Sequence, residues 1–176
     1  MSDARNESLL DALLDSWDRN NTILTNLVRA LPAVGLDASV MESSPSVAQM
    51  LTHIHYVRMV FVSDDAPEFL SEPAPDFVER GPEGEWVAER DREQIVQMLN
   101  ESATVVRDAV KGRLTAGREM DLHYDHPIFM LQHMIWHEGY HHGQIKLALK
   151  LAGTPLANAD IGPLTWRIWM QKKSAQ

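Results

Sequence analysis

A chain of 176 residues has the length of one domain and can bury a core without covalent staples, and its lack of cysteine excludes disulfides, thiolate metal ligands and a cysteine nucleophile. Sixteen basic residues against 25 acidic ones give a formal charge of −9, which repels phosphate backbones and excludes nucleic acid as an expected partner. No apolar run reaches the roughly 18 residues of a membrane span, and the polar start Met1-Ser2-Asp3-Ala4-Arg5 lacks the apolar stretch of a secretory signal, so no membrane is expected and the cytoplasm is the expected location.

Along the chain, Leu9, Leu10, Leu13, Leu14, Trp17, Leu24, Leu27 and Leu31 recur mostly at intervals of three and four, which predicts an amphipathic helix from about Glu7 to Leu31, closed by Pro32 and Gly35. Ser43-Ser44-Pro45 opens a second helix, with Ser44 read as its N-cap and Pro45 as its first position, running to about Val62. From Ser63 to Gly84 the breakers Asp64, Asp65, Pro67, Pro73, Pro75, Gly81 and Pro82 predict a long crossover. A third helix is expected from Glu85 to Leu114. Between Thr115 and His126 the helical period is lost, and Met120 to Tyr124 is read as a short extended piece. Asp125-His126-Pro127 opens a fourth helix that Gly153 and Pro155 stop. The tail from Ala157 carries Trp166, Trp169 and other large apolar residues, which must pack on the bundle or on a second subunit.

Eight histidines are the unusual count. His133, His137 and His141 form a ladder on one face of the fourth helix. His133 and His141 are separated by roughly 12 Å of helix axis, against metal–nitrogen bonds of about 2.0–2.1 Å, so one ion can take two neighbours of the ladder but not all three. A third imidazole must come from helix two, where His53 and His55 point to different faces and the spacing favours neither. His55, His123, His126 and His133 are read first as structural histidines, and Trp166 and Trp169 as core.

The chain resembles the DinB-like superfamily. The residues that carry the resemblance are Ser46-Val47-Ala48-Gln49-Met50-Leu51-Thr52-His53 in helix two and His137-Glu138-Gly139-Tyr140-His141-His142-Gly143-Gln144 in helix four. It covers most of the chain in order and spacing, with His142 standing where many relatives carry Arg. The resemblance implies an all-α four-helix bundle, up-down-down-up, with a long crossover between helices two and three. It also implies a metal-ligand triad of His53, His137 and His141, a homodimer, and thiol-dependent transferase or isomerase activity as one function among several.

His137-Glu138-Gly139-Tyr140-His141 also matches the zincin protease motif His-Glu-x-x-His, but such enzymes take a third ligand downstream, and after His142 the chain has neither His nor Glu and only Asp160 as a side-chain carboxylate. Glu138 is kept as a candidate base, and Tyr140, Gln144 and His133 as candidates for the surroundings of the metal or the substrate pocket. Three neutral imidazoles leave a divalent ion its full charge and an open position, the arrangement of a catalytic zinc site. Zinc is the first expectation for the metal and nickel the second, since imidazole suits both. Because the chain has no cysteine, the leading expectation is a low-molecular-weight thiol as co-substrate for a small-molecule electrophile. Hydrolysis by bound water and a non-catalytic metal- or ligand-binding bundle are the alternatives.

Overall fold

Local chemistry sets the ends of the helices. The computed structural model describes residues 2–71 and 87–172, with side chains from Leu9 onward. Four long helices, α1 (Ser2–Ala30), α2 (Val47–Asp65), α3 (Arg92–Thr115) and α4 (Pro127–Leu151), are followed by the single turn α5 (Asn158–Ile161) and a 3₁₀ turn at Trp166–Met170. No strand occurs among the described residues, as expected for an all-α protein.

Helix α2 is capped two residues later than the Ser-Pro signal predicts. Ser46 accepts from the Gln49 backbone N–H at 3.2 Å, and the Gln49 side chain accepts from the Ser46 N–H at 2.8 Å. This reciprocal capping box satisfies two otherwise orphaned donors, whereas Ser44 lies in the preceding turn and bonds back to the Met41 carbonyl. Helix α3 likewise starts later than expected, at an Asp91 N-cap that accepts from Glu93 and Gln94. Residues 87–91 are not helical, and Glu85 and the expected crossover from 72 to 84 lie outside the described residues. Within the expected extended piece from Met120 to Tyr124, residues 121–123 form bends. The fully buried Asp65 carboxylate fixes them by accepting from the backbone N–H groups of Leu122 and His123 and from the His123 ring. His126 caps α4 through its ring nitrogen, with Pro127 at the first helical position. The tail returns to its own bundle through the Asn26 amide, which donates to the Leu164 carbonyl, Arg19, which donates to the Ile168 carbonyl, and buried Ile161, but Trp166 and Trp169, expected in the core, are about half exposed because the short tail lies on the surface of α1.

Cross-helix bonds give the relative directions. From Trp17 to Asn21 along α1 the partners on α3 run backwards, from Ala103 to Asn100, so the two helices are antiparallel. From His55 to Arg58 along α2 the partners on α3 run forwards, from Met98 to Leu99 and Ser102. On α4 the partners of α2 run backwards, from His137 and His141 beside His53 to His133 beside Phe61. The four long helices form a helical bundle.

The core falls into two apolar clusters, one around Leu27, Leu51, Ile54, Leu99, Ile145 and Leu149, the other around Leu14, Trp17, Val62, Val106, Met130 and Met134. Between them on every helix lies a polar residue: Asn21 on α1, Arg58 on α2, Ser102 on α3 and Glu138 on α4. The Arg58 guanidinium is fully buried and bonds both oxygens of Glu138, at 2.7 and 2.8 Å. It also donates to Asn21 Oδ1, the Leu99 carbonyl and Ser102 Oγ, and lies 4.8 Å from the centre of the Trp17 ring. Asn20 donates to the second Glu138 oxygen at 2.6 Å.

Removing one partner strands a buried charge, which costs about 3–5 kcal/mol, whereas replacing both by apolar groups of similar size is close to neutral. Glu138→Leu and Arg58→Met should each destabilise the protein by about that amount, and the double variant should recover most of the loss in urea denaturation. Additive losses would show that the pair is not coupled.

Candidate metal centre

The packing of α2 on α4, fixed by the Arg58–Glu138 bond, decides which helix-two histidine meets α4. His53 does. Its Nε2 lies 3.3 Å from Nε2 of His137, which in turn lies 3.1 Å from Nε2 of His141. His55, on the other side of α2, donates its Nδ1–H to the Met98 carbonyl oxygen at 2.9 Å and belongs to the packing with α3. The choice that spacing left open is thus resolved by the fold.

Among the described residues, His53, His137 and His141 form the one group of three whose ligand atoms lie together closely enough to hold a metal ion, all within 4.8 Å of one another. Three donors on a tetrahedral ion with bonds of about 2.0–2.1 Å stand roughly 3.3 Å apart, close to the two nitrogen separations observed. The His141 ring is oriented by its Nδ1 at 2.8 Å from the Gln144 carbonyl oxygen, which accepts the Nδ1 proton and leaves the Nε2 lone pair facing the other two rings. Lone pairs aimed at a common point repel one another, and a cation relieves that repulsion. The donor set therefore fits a divalent ion.

All three imidazoles are held below the ordinary histidine pKa. Burial is the main cause in each; for His137, the neighbouring His141 and His53 add to it and bring the value to about 4. For His141 the Gln144 bond opposes the shift in part. Neutral imidazole is the form that binds metal, so the site is in its donor state at neutral pH.

A cavity of about 570 Å³ opens onto this centre. It is lined by His53 and His141, by Gln49 and Met50 of α2, and by Glu42, Ser43, Ser44 and Pro45 from the connection between α1 and α2. The volume falls within the range of roughly 300–1,000 Å³ typical of small-molecule sites.

The other candidate residues are placed as follows. Glu138 is 2% exposed, and both its oxygens are engaged by Arg58 and Asn20. Tyr140 is largely exposed, packs its edge against His141 at 5.3 Å between ring centres and stacks on Trp136. His133 lies one turn before His137, its ring centre 6.4 Å away, with Nδ1 bonded to the Tyr124 hydroxyl at 2.7 Å. His142 is half-buried, and burial lowers its pKa. Sequence reading missed the Arg58 network and the Glu42–Ser44 wall. The signal for the first was an arginine between apolar residues on α2 and a polar Asn20-Asn21 break in the leucine pattern of α1.

Comparison with curated proteins and with solved structures returned no match. The model of the DinB family matches residues 1–173. Matched over almost its whole length, the chain belongs to the DinB family.

Proposed function

We propose that this protein is a metal-dependent enzyme acting on small molecules, with His53, His137 and His141 as ligands of one divalent ion and a low-molecular-weight thiol as co-substrate for transfer or isomerisation. The carrying observation is the convergence of three imidazole Nε2 atoms, with two of the three rings lining a substrate-sized cavity. The absence of cysteine supports a thiol supplied from outside. When bound, the ion supplies the Lewis acidity that makes a thiol or water nucleophilic near neutral pH. Zinc is the first choice and nickel the second, because imidazole donors suit both.

The chain's own residues then have distinct tasks. Gln144 holds the His141 ring and its tautomer. Glu138 acts as a positioning residue: with Arg58 it ties α4 to α2, the two helices that carry the ligands. A carboxylate that accepts from Arg58 and Asn20 at both oxygens is poorly placed to take a proton from water, which favours thiol chemistry over hydrolysis. A His-Glu-x-x-His protease is disfavoured for the same reason.

The cytoplasm and a homodimer belong to the same proposal. No helix among the described residues is long and apolar enough to cross a membrane. Phe129, Trp136, Tyr140, Leu147 and Leu151 leave an exposed apolar stripe on α4 that suits burial against a second copy.

Metal-reconstituted protein, incubated with small thiols and a model electrophile, should give conjugation or isomerisation that chelation abolishes; His53→Ala, His137→Ala and His141→Ala should each lose metal and activity, while His55→Ala keeps both. Metal loss in His55→Ala but not in His53→Ala would overturn the ligand assignment.

The lowered histidine pKa values have a definite sign in stability. Below pH 6.5 the unfolded chain takes up protons that the folded site refuses, so the metal-free protein loses stability as pH falls from 6.5 towards the value of about 4 for His137. His137→Asn should show a shallower loss over that window in urea denaturation. An unchanged slope would show that the site does not resist protonation.

A further inference from the structure

We infer that the cavity beside the three histidines selects molecules whose far end is cationic or neutral and hydrogen-bonding, and disfavours those ending in a carboxylate or phosphate. The inference rests on the thiol reading above and concerns what the rest of the thiol carries.

The cavity has a reactive end and a recognition end. His53 and His141 stand at the first. Glu42, Ser43, Ser44 and Pro45 precede the Ser46 N-cap of α2, and Gln49 and Met50 lie between them and His53 along the helix, so the lining runs from a carboxylate and two hydroxyls to the histidines. A ligand with its sulfur at the histidines therefore lays an apolar middle on Pro45 and Met50 and brings its far end to a carboxylate and two hydroxyls. Among the described residues, neither serine hydroxyl is engaged by another protein group and the Glu42 carboxylate has no ion-pair partner.

The charges around the cavity point one way. Among the described residues Glu42 is the one carboxylate that lines it, and no Lys or Arg does. Arg58 cannot serve an anion, because it is fully buried and already bonded to Glu138, Asn21 and the Leu99 carbonyl. The formal charge of −9 adds a long-range field of the same sign as Glu42. An ammonium group gains from this wall, a hydroxyl finds Ser43 and Ser44, and a carboxylate meets only repulsion and loss of its hydration. Exposed charge pairs are modest in water, so attraction of a cation and repulsion of an anion together amount to about tenfold in affinity.

The test uses cobalt-substituted protein and three thiols of equal length, aminohexanethiol, mercaptohexanol and mercaptohexanoate, titrated through the thiolate-to-cobalt charge-transfer band. The affinity order should be amine, alcohol, carboxylate, with about tenfold between the extremes and less at high salt. Glu42→Lys should reverse the order of the two charged thiols while leaving mercaptohexanol affinity and the cobalt ligand-field spectrum unchanged. Equal affinities, a preference for the carboxylate, or an order insensitive to Glu42→Lys would overturn the selectivity and leave the thiol reading standing. No charge-transfer band with any thiol, in protein whose ligand-field spectrum reports bound cobalt, would overturn both.

Discussion

The Arg58 guanidinium, fully buried, reaches all four long helices at once: Glu138 on α4, the Leu99 carbonyl and Ser102 on α3, and Asn21 with the Trp17 ring on α1. A charge in that position is tolerated only because every donor direction named meets an acceptor and a carboxylate neutralises it. The two apolar clusters of the core lie on either side of this layer, and non-directional apolar contact specifies the register of one helix on another less strictly than directional bonds do. The polar layer supplies such bonds, and a shift of one helix by a turn would strand Arg58, Glu138 or both. Register is therefore specified by a small number of directional bonds, and bulk stability by the apolar clusters.

The candidate metal centre inherits its geometry from that register. Glu138 directly follows His137 on α4, and Arg58 lies five residues after His53 on α2. Fixing Glu138 on Arg58 thus fixes how far His137 and His141 stand along His53. The pair and the triad occupy neighbouring faces of the same two helices, one turned into the core and the other to the cavity. Burial that pushes the three imidazoles below their ordinary pKa is the second consequence, because the rings sit close to the apolar interior and to one another.

Much of this was legible in the sequence, for reasons that differ between elements. The leucines of α1 and the apolar residues of α4 repeat at helical spacing, and Gly153 and Pro155 mark a stop that the structure keeps close to Leu151. A spacing of four put His137 beside either His133 or His141 as a ligand pair, and the resemblance to a family chose His141. The choice of His53 over His55 did not follow from spacing either, since it depends on the phase of α2 relative to another helix; the same resemblance supplied it. Caps were read less well where two signals competed. Ser44-Pro45 is a good opening pattern, but Ser46 and Gln49 form a reciprocal pair that satisfies more donors. The Arg58–Glu138 bond joins residues far apart in the chain, and nothing local announces it. Glu138 looked like a base because it sits in a catalytic motif, while its partner decides what it does.

X-ray absorption at the zinc edge of the reconstituted protein examines the central claim most directly. The account predicts three imidazole nitrogens at about 2.0 Å, identified by their outer-shell scattering, with one further light atom and no sulfur before thiol is added. A shell of oxygen atoms with at most one imidazole would show that the three rings do not share an ion, and the reading of this site as a metal centre would fall.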